Sequence, residues 1–62
     1  MNIIEAAKAL DQGKDVRDQM GFRFRNIKRI VYHIDSTTGH TGDEAIMYVD
    51  DLLSDEWEVV YE

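Results

Sequence analysis

The sequence predicts an α+β fold, one N-terminal helix packed on an antiparallel sheet of three or four strands, in a single domain spanning residues 1–62. Three observations carry this expectation. A capped apolar stripe with helical spacing opens the chain and stops at Gly13. Apolar and charged residues alternate through residues 22–34. An acidic turn at residues 51–56 then delivers the only tryptophan, Trp57, into a closing strand.

In chain order, Asn2 is the expected helix N-cap, and Glu5 three residues later completes the spacing of a capping box. Ile3, Ala6, Ala7 and Leu10 form one narrow stripe, which predicts a helix over residues 2–12. Gly13 supplies the left-handed stop. A helix this short is not stable alone, so it has to dock on the sheet to which Val16 and Arg17 lead. Phe22 and Phe24 alternate with Arg23 and Arg25, the period of a half-buried strand with the rings inside and the arginines outside. Ile30, Tyr32 and Ile34 alternate in the same way with Arg29, Val31 and His33. Asn26 marks a tight turn or a bulge between these runs, and Lys28, on the otherwise apolar parity, argues for a break. Residues 36–43 read as a loop, 45–49 as a short strand, and 50–55 as a turn or single helical turn. Trp57, Val59 and Tyr61 then share one face of the last strand, with Glu58 and Glu62 on the other.

At 62 residues, folding buries only about 60% of the surface of the unfolded chain, so the core is marginal. Small domains compensate with disulfides, a metal or oligomerisation. The absence of cysteine excludes disulfides, Cys-based zinc sites and iron–sulfur clusters, and two histidines are too few to suggest a metal. No cofactor is expected, and self-association into a homo-oligomer is the remaining staple. No apolar run approaches the ~20 residues of a membrane span, and no signal-peptide pattern opens the chain, so a membrane is not an expected partner.

The net charge of −6 hides an asymmetry. Residues 14–29 carry six basic side chains (Lys14, Arg17, Arg23, Arg25, Lys28, Arg29) against Asp15 and Asp18. Residues 43–62 carry eight acids and no Lys or Arg. Such a chain suits an anion at its first half and a basic surface at its second, unless the halves neutralise one another. Arg17, Arg23 and Arg25 have the forked donors that match phosphate oxygens. The aromatic–arginine alternation is not enough for an RNA-recognition strand, whose fold needs a longer chain and a second helix, and nucleic acid is not an expected partner. The loop over residues 36–42 lacks the Gly-Lys-Ser/Thr ending of a phosphate loop. His40 beside Thr38 and Thr41 is loop sequence rather than a braced nucleophile, and the adjacent acid pairs Asp50/Asp51 and Asp55/Glu56 point apart in exposed turns. The sequence is therefore read as a binding protein with no catalytic residues.

Two terminal signatures bear on what it binds. Glu5, Ala6, Leu10, Gly13, Lys14, Val16 and Arg17 stand near the start, and Asp51, Leu52, Leu53, Trp57, Glu58 and Val59 near the finish. In this order they resemble the Thoeris anti-defence protein 2 family of small phage proteins, with Phe22 the nearest aromatic where that family places a tryptophan after its Val-Arg pair. The resemblance implies a non-enzymatic phage counter-defence protein of the host cytoplasm: a homo-oligomeric sponge that sequesters a cyclic nucleotide immune signal of the cyclic ADP-ribose kind. In that role Arg17, Arg23 or Arg25 would hold phosphates and Phe22 or Trp57 would stack a base. Another branch of the same family is linked to anti-CRISPR activity. The alternative expectation is an acidic protein-binding inhibitor of a host defence or nucleic-acid enzyme, using Asp50, Asp51, Asp55 and Glu56.

Overall fold

The computed structural model describes residues 1–61, and Glu62, expected on the outer face of the last strand, lies outside the described residues. The fold is α+β. Helix α1 (Ile3–Asp11) is followed by β1 (Asp15–Arg17), β2 (Arg23–Ile27), β3 (Ile30–Ile34), β4 (Thr41–Glu44), a short helix α2 (Val49–Leu53) and β5 (Glu58–Val60). The strands form one antiparallel sheet in the order β4-β3-β2-β1-β5. It has five strands where three or four were expected.

Helix α1 begins as Asn2 dictates. The Asn2 side chain accepts from Glu5 N at 2.9 Å and the Glu5 carboxylate accepts from Asn2 N at 3.1 Å, a complete capping box. Gly13 ends the helix at φ +83°, and the chain enters β1 two residues later. The buried stripe is Ala6, Ala9 and Leu10, with Ile3 packed beside it; Ala7, expected within it, is exposed.

Asn26 is neither turn nor bulge. It lies inside β2, where its amide donates to Leu10 O at 3.1 Å, satisfying a carbonyl at the helix end, and its oxygen accepts from Arg29 N at 2.9 Å. The break falls at Lys28 and Arg29, both at positive φ (53° and 73°), as a two-residue hairpin loop with the twist of type I′.

Cross-strand partners share a face, so the register Val59–Val16–Phe24–His33 defines the side toward α1. The β3 residues on that side are therefore Val31 and His33, the opposite parity to the Ile30, Tyr32 and Ile34 expected. Ile30 is exposed, while Ile34 is buried on its own side. Phe22 precedes β2 and is 57% exposed rather than in the core, and Tyr61, beyond the end of β5, is exposed as well. The strand expected at residues 45–49 is displaced to β4. Residues 45–48 instead leave the sheet, with Ala45 and Met47 turned onto the core edge and Ala45 N donating to Val31 O at 2.8 Å. The core itself is Ala6, Ala9, Leu10, Val16, Phe24 and Trp57. Trp57 packs its rings on Phe24, centroids 5.4 Å apart, and donates its indole N–H to Asp51 O at 2.9 Å.

Nine residues make a helix about 13 Å long, while five strands span about 19 Å from first to last. Helix α1 lies against β1, β2 and β5 and leaves the β3–β4 end of that face to the returning segment over residues 45–50. A concavity opens between the β1–β2 loop (residues 18–22), the end of β3 and the returning segment.

Candidate functional site

The predicted ligand residues do not converge. Arg17, Arg23 and Arg25 lie on the open face of the sheet, Phe22 borders the concavity, and Trp57 is 1% exposed with no ring face to offer a base. On the open face, Asp15 organises the arginines and is itself 8% exposed. Arg23 reaches Asp15 Oδ2 through Nε at 2.7 Å and Nη2 at 2.6 Å; Arg25 reaches Oδ1 through Nε at 2.9 Å and Oδ2 through Nη2 at 2.8 Å. The hydrogen bonds from Arg25 foremost, and those from Arg23, hold the Asp15 carboxyl below the usual carboxylate range against the burial that pushes it up. Arg23 is thus largely enclosed, where the alternation placed it outside. Arg17 donates to Glu58 Oε2 through Nε at 3.0 Å and Nη2 at 2.7 Å, both side chains exposed, and this pair joins the basic first half to the acidic second. Arg29 pairs with Asp11.

The concavity is a groove of about 750 Å³, within the range of small-ligand and peptide-anchor pockets. Phe24, His33 and Ile34 line it from the sheet; Met20 and Phe22 from the β1–β2 loop; Ile46 and Tyr48 from the returning segment. Met20, Phe22, Ile46 and Tyr48 are each more than half exposed, an unusual concentration of apolar surface for so small a chain. Around them stand Asp18, Asp35, Asp43, Asp50 and Asp51, and no lysine or arginine lines the groove among the described residues.

Local bonds hold this shape. Asp18 Oδ1 accepts from Met20 N (2.9 Å) and Phe22 N (3.0 Å), and Gly21 at φ +87° lets the loop close, so Met20 and Phe22 are pushed out into the groove wall. Asp51 was expected as an exposed turn acid pointing away from its neighbours, yet it is buried. Its Oδ1 accepts from the Gln19 side chain at 3.1 Å, its Oδ2 from Tyr48 N at 3.0 Å, and its carbonyl from Trp57. One residue therefore ties the β1–β2 loop, the start of α2 and the core tryptophan together. Asp35 Oδ1 accepts from Thr37 N and Thr38 N, and these bonds, Thr38's first, lower its carboxyl pKa. The loop over residues 36–40 is a hairpin connection closed by these bonds. His33 Nε2 accepts from Ile46 N at 3.4 Å, fastening the returning segment across the groove.

Of the acids expected to meet a basic partner, Asp50 and Asp51 line the groove and Asp55 and Glu56 do not. Asp18, His33 and Tyr48 were not among the expected contacts, because neither alternation nor spacing marks a residue that acts by bonding to a loop brought close only by folding. Among the described residues, no group of three or more His, Asp or Glu side chains is placed to hold a metal ion, and no helix is long and apolar enough to cross a membrane. No family model, curated protein or solved structure matches the chain.

Proposed function

We propose that this chain is a non-catalytic binding protein that engages a basic surface of a partner protein through the apolar groove and its acidic rim. The observation that carries the reading is the pairing of an apolar, aromatic concavity with carboxylates alone around it, while the arginines on the opposite face already meet carboxylates. A phosphate entering the groove meets five negative side chains; a basic protein surface is attracted by them and finds apolar anchorage beneath. The resemblance of the terminal signatures to phage counter-defence proteins supports a host defence or nucleic-acid enzyme as the partner, met in the host cytoplasm and inhibited by occlusion. The open face supports a second copy of the chain as a further partner. Among the described residues it sets Arg17, Arg23 and Arg25 against Asp15, Glu44 and Glu58, a neutral patch on a molecule of net charge −6.

Affinity capture from host lysate tests this reading with two variants beside the wild type. A stoichiometric partner should be retained by Arg17→Glu/Arg25→Glu, lost by Phe22→Ser/Tyr48→Ser, and released as salt rises beyond the range where surface charges are effective. Capture that depends on the arginines and ignores the groove would reject it.

One observation favours the nucleotide-sponge reading as a second possibility. Phe22 is exposed at the groove edge and offers a ring on which a base can stack. Its phosphates would have to draw Arg17, Arg23 or Arg25 away from their carboxylates. Calorimetric titration with cyclic ADP-ribose isomers and cyclic dinucleotides decides it: heat abolished by Arg25→Glu would support the sponge, and no heat with any of them would end it.

A further inference from the structure

The groove is walled by rings as well as by aliphatic groups, and this narrows the chemistry it suits. The Phe22 and His33 rings meet edge to face, centroids 6.2 Å apart and planes at 78°, and Phe24 lies against the same imidazole at 4.8 Å. Tyr48, 69% exposed, adds a further ring. His33 Nε2 accepts from Ile46 N at 3.4 Å, which sets its ring in this aromatic wall. The nearby carboxylates are not used up. Asp18 is 6% exposed, and the loop amides occupy its Oδ1. Its Oδ2 takes no hydrogen bond from the described residues, and no buried side-chain oxygen among them lacks a partner, so Oδ2 is the oxygen open to solvent. Asp35 commits Oδ1 to the amides of its own turn, and its exposed carboxyl stands at the groove edge.

Aromatic faces beside carboxylates attract one kind of side chain above others. A purely aliphatic anchor would desolvate the acidic rim with nothing to offset the loss. A phosphate or carboxylate would be repelled. A lysine ammonium is strongly hydrated and makes a point contact. A guanidinium is weakly hydrated, stacks on rings and forms two parallel bonds to a carboxylate. Resting on the reading that the groove is the binding surface, we infer that it is a receptor for an arginine side chain of the partner protein. The aliphatic stem lies along Met20 and Phe22, and the guanidinium sits against the rings within the acidic rim.

The inference is tested by amide chemical-shift titration of the ¹⁵N-labelled protein with three blocked tripeptides, acetyl-Leu-X-Leu-amide, in which X is arginine, lysine or citrulline, the neutral isostere of arginine. The arginine peptide should shift Phe22, His33, Gly42 and Tyr48. The citrulline peptide should bind about tenfold more weakly or worse, with lysine between them. Phe22→Leu, an exposed position where folding does not depend on the ring, should weaken the arginine peptide and leave the citrulline peptide nearly unchanged. Equal binding of arginine and citrulline would overturn the inference while leaving the groove as an apolar docking site. Failure of all three peptides to shift any groove resonance would overturn the inference and the groove reading together.

Discussion

Asp15 stands where two guanidinium groups converge on a nearly covered carboxylate, and the consequence is a measurable pH dependence. Its folded-state pKa lies below its unfolded value, so its contribution to stability is complete above the ordinary aspartate range near ~4. That contribution is lost as pH falls from there through the lower folded value, because the unfolded chain binds the proton first. Asp15→Asn should cost roughly 2 kcal/mol at neutral pH, since it leaves Arg23 and Arg25 facing an uncharged amide, and it should flatten the decline of stability in acid. Urea unfolding at pH 7 and across the acid range measures both; a wild-type decline that the substitution leaves unchanged would contradict this role. Trp57 makes a second claim at this scale. Trp57→Phe keeps most of the buried ring contact with Phe24 but removes the bond to Asp51 O, at an expected cost of about 1–2 kcal/mol. By contrast Trp57→Ala should cost about 3–5 kcal/mol, enough to unfold a domain this small. Equal losses from the two would show that the indole bond, not the packing, dominates.

At the scale of elements, helix α1 was legible because its signals are local: a cap, a box partner three residues on, an apolar stripe and a glycine stop. Strand β4 was not, because Thr41, Gly42, Asp43 and Glu44 contain no apolar alternation. Their extended state is imposed by pairing with β3 and carries no sequence mark. The parity of β3 misled for a related reason. Ile30, Tyr32 and Ile34 satisfy the pattern of a buried face, but the register with β2 is fixed by the two-residue loop at Lys28 and Arg29 and by Asn26, which bonds to both the helix end and the loop. That loop holds two ordinary residues in a left-handed conformation at about 1 kcal/mol each. Lys28→Asn/Arg29→Gly should therefore stabilise the protein by about 1 kcal/mol net of the exposed Arg29–Asp11 pair, raising Tm by roughly 4–8 °C. A lower Tm would mean that the Arg29 pair contributes more than an exposed ion pair ordinarily does.

For the whole molecule, the charge asymmetry visible in the sequence becomes a difference between two faces. Arg17, Arg23 and Arg25 are met on the open face by Asp15 and Glu58, and among the described residues no lysine or arginine lines the groove beside its acids. Phe22 entered the candidate contacts through the resemblance, as the aromatic nearest that family's tryptophan, whereas its alternation with Arg23 and Arg25 had placed the ring in the core. The groove around Phe22 was not legible, since its walls, the β1–β2 loop, the end of β3 and the returning segment, come together only on folding. The central claim is that this groove, rather than the arginine-bearing face, is the binding surface. Chemical-shift mapping of one labelled sample with the arginine tripeptide, and of a second with cyclic ADP-ribose, tests it most directly. The claim requires the peptide to move residues 18–22, 33–35 and 42–51 and the nucleotide to move none of Arg17, Arg23 and Arg25. Nucleotide-induced shifts centred on those arginines, with the groove silent to the peptide, would contradict it.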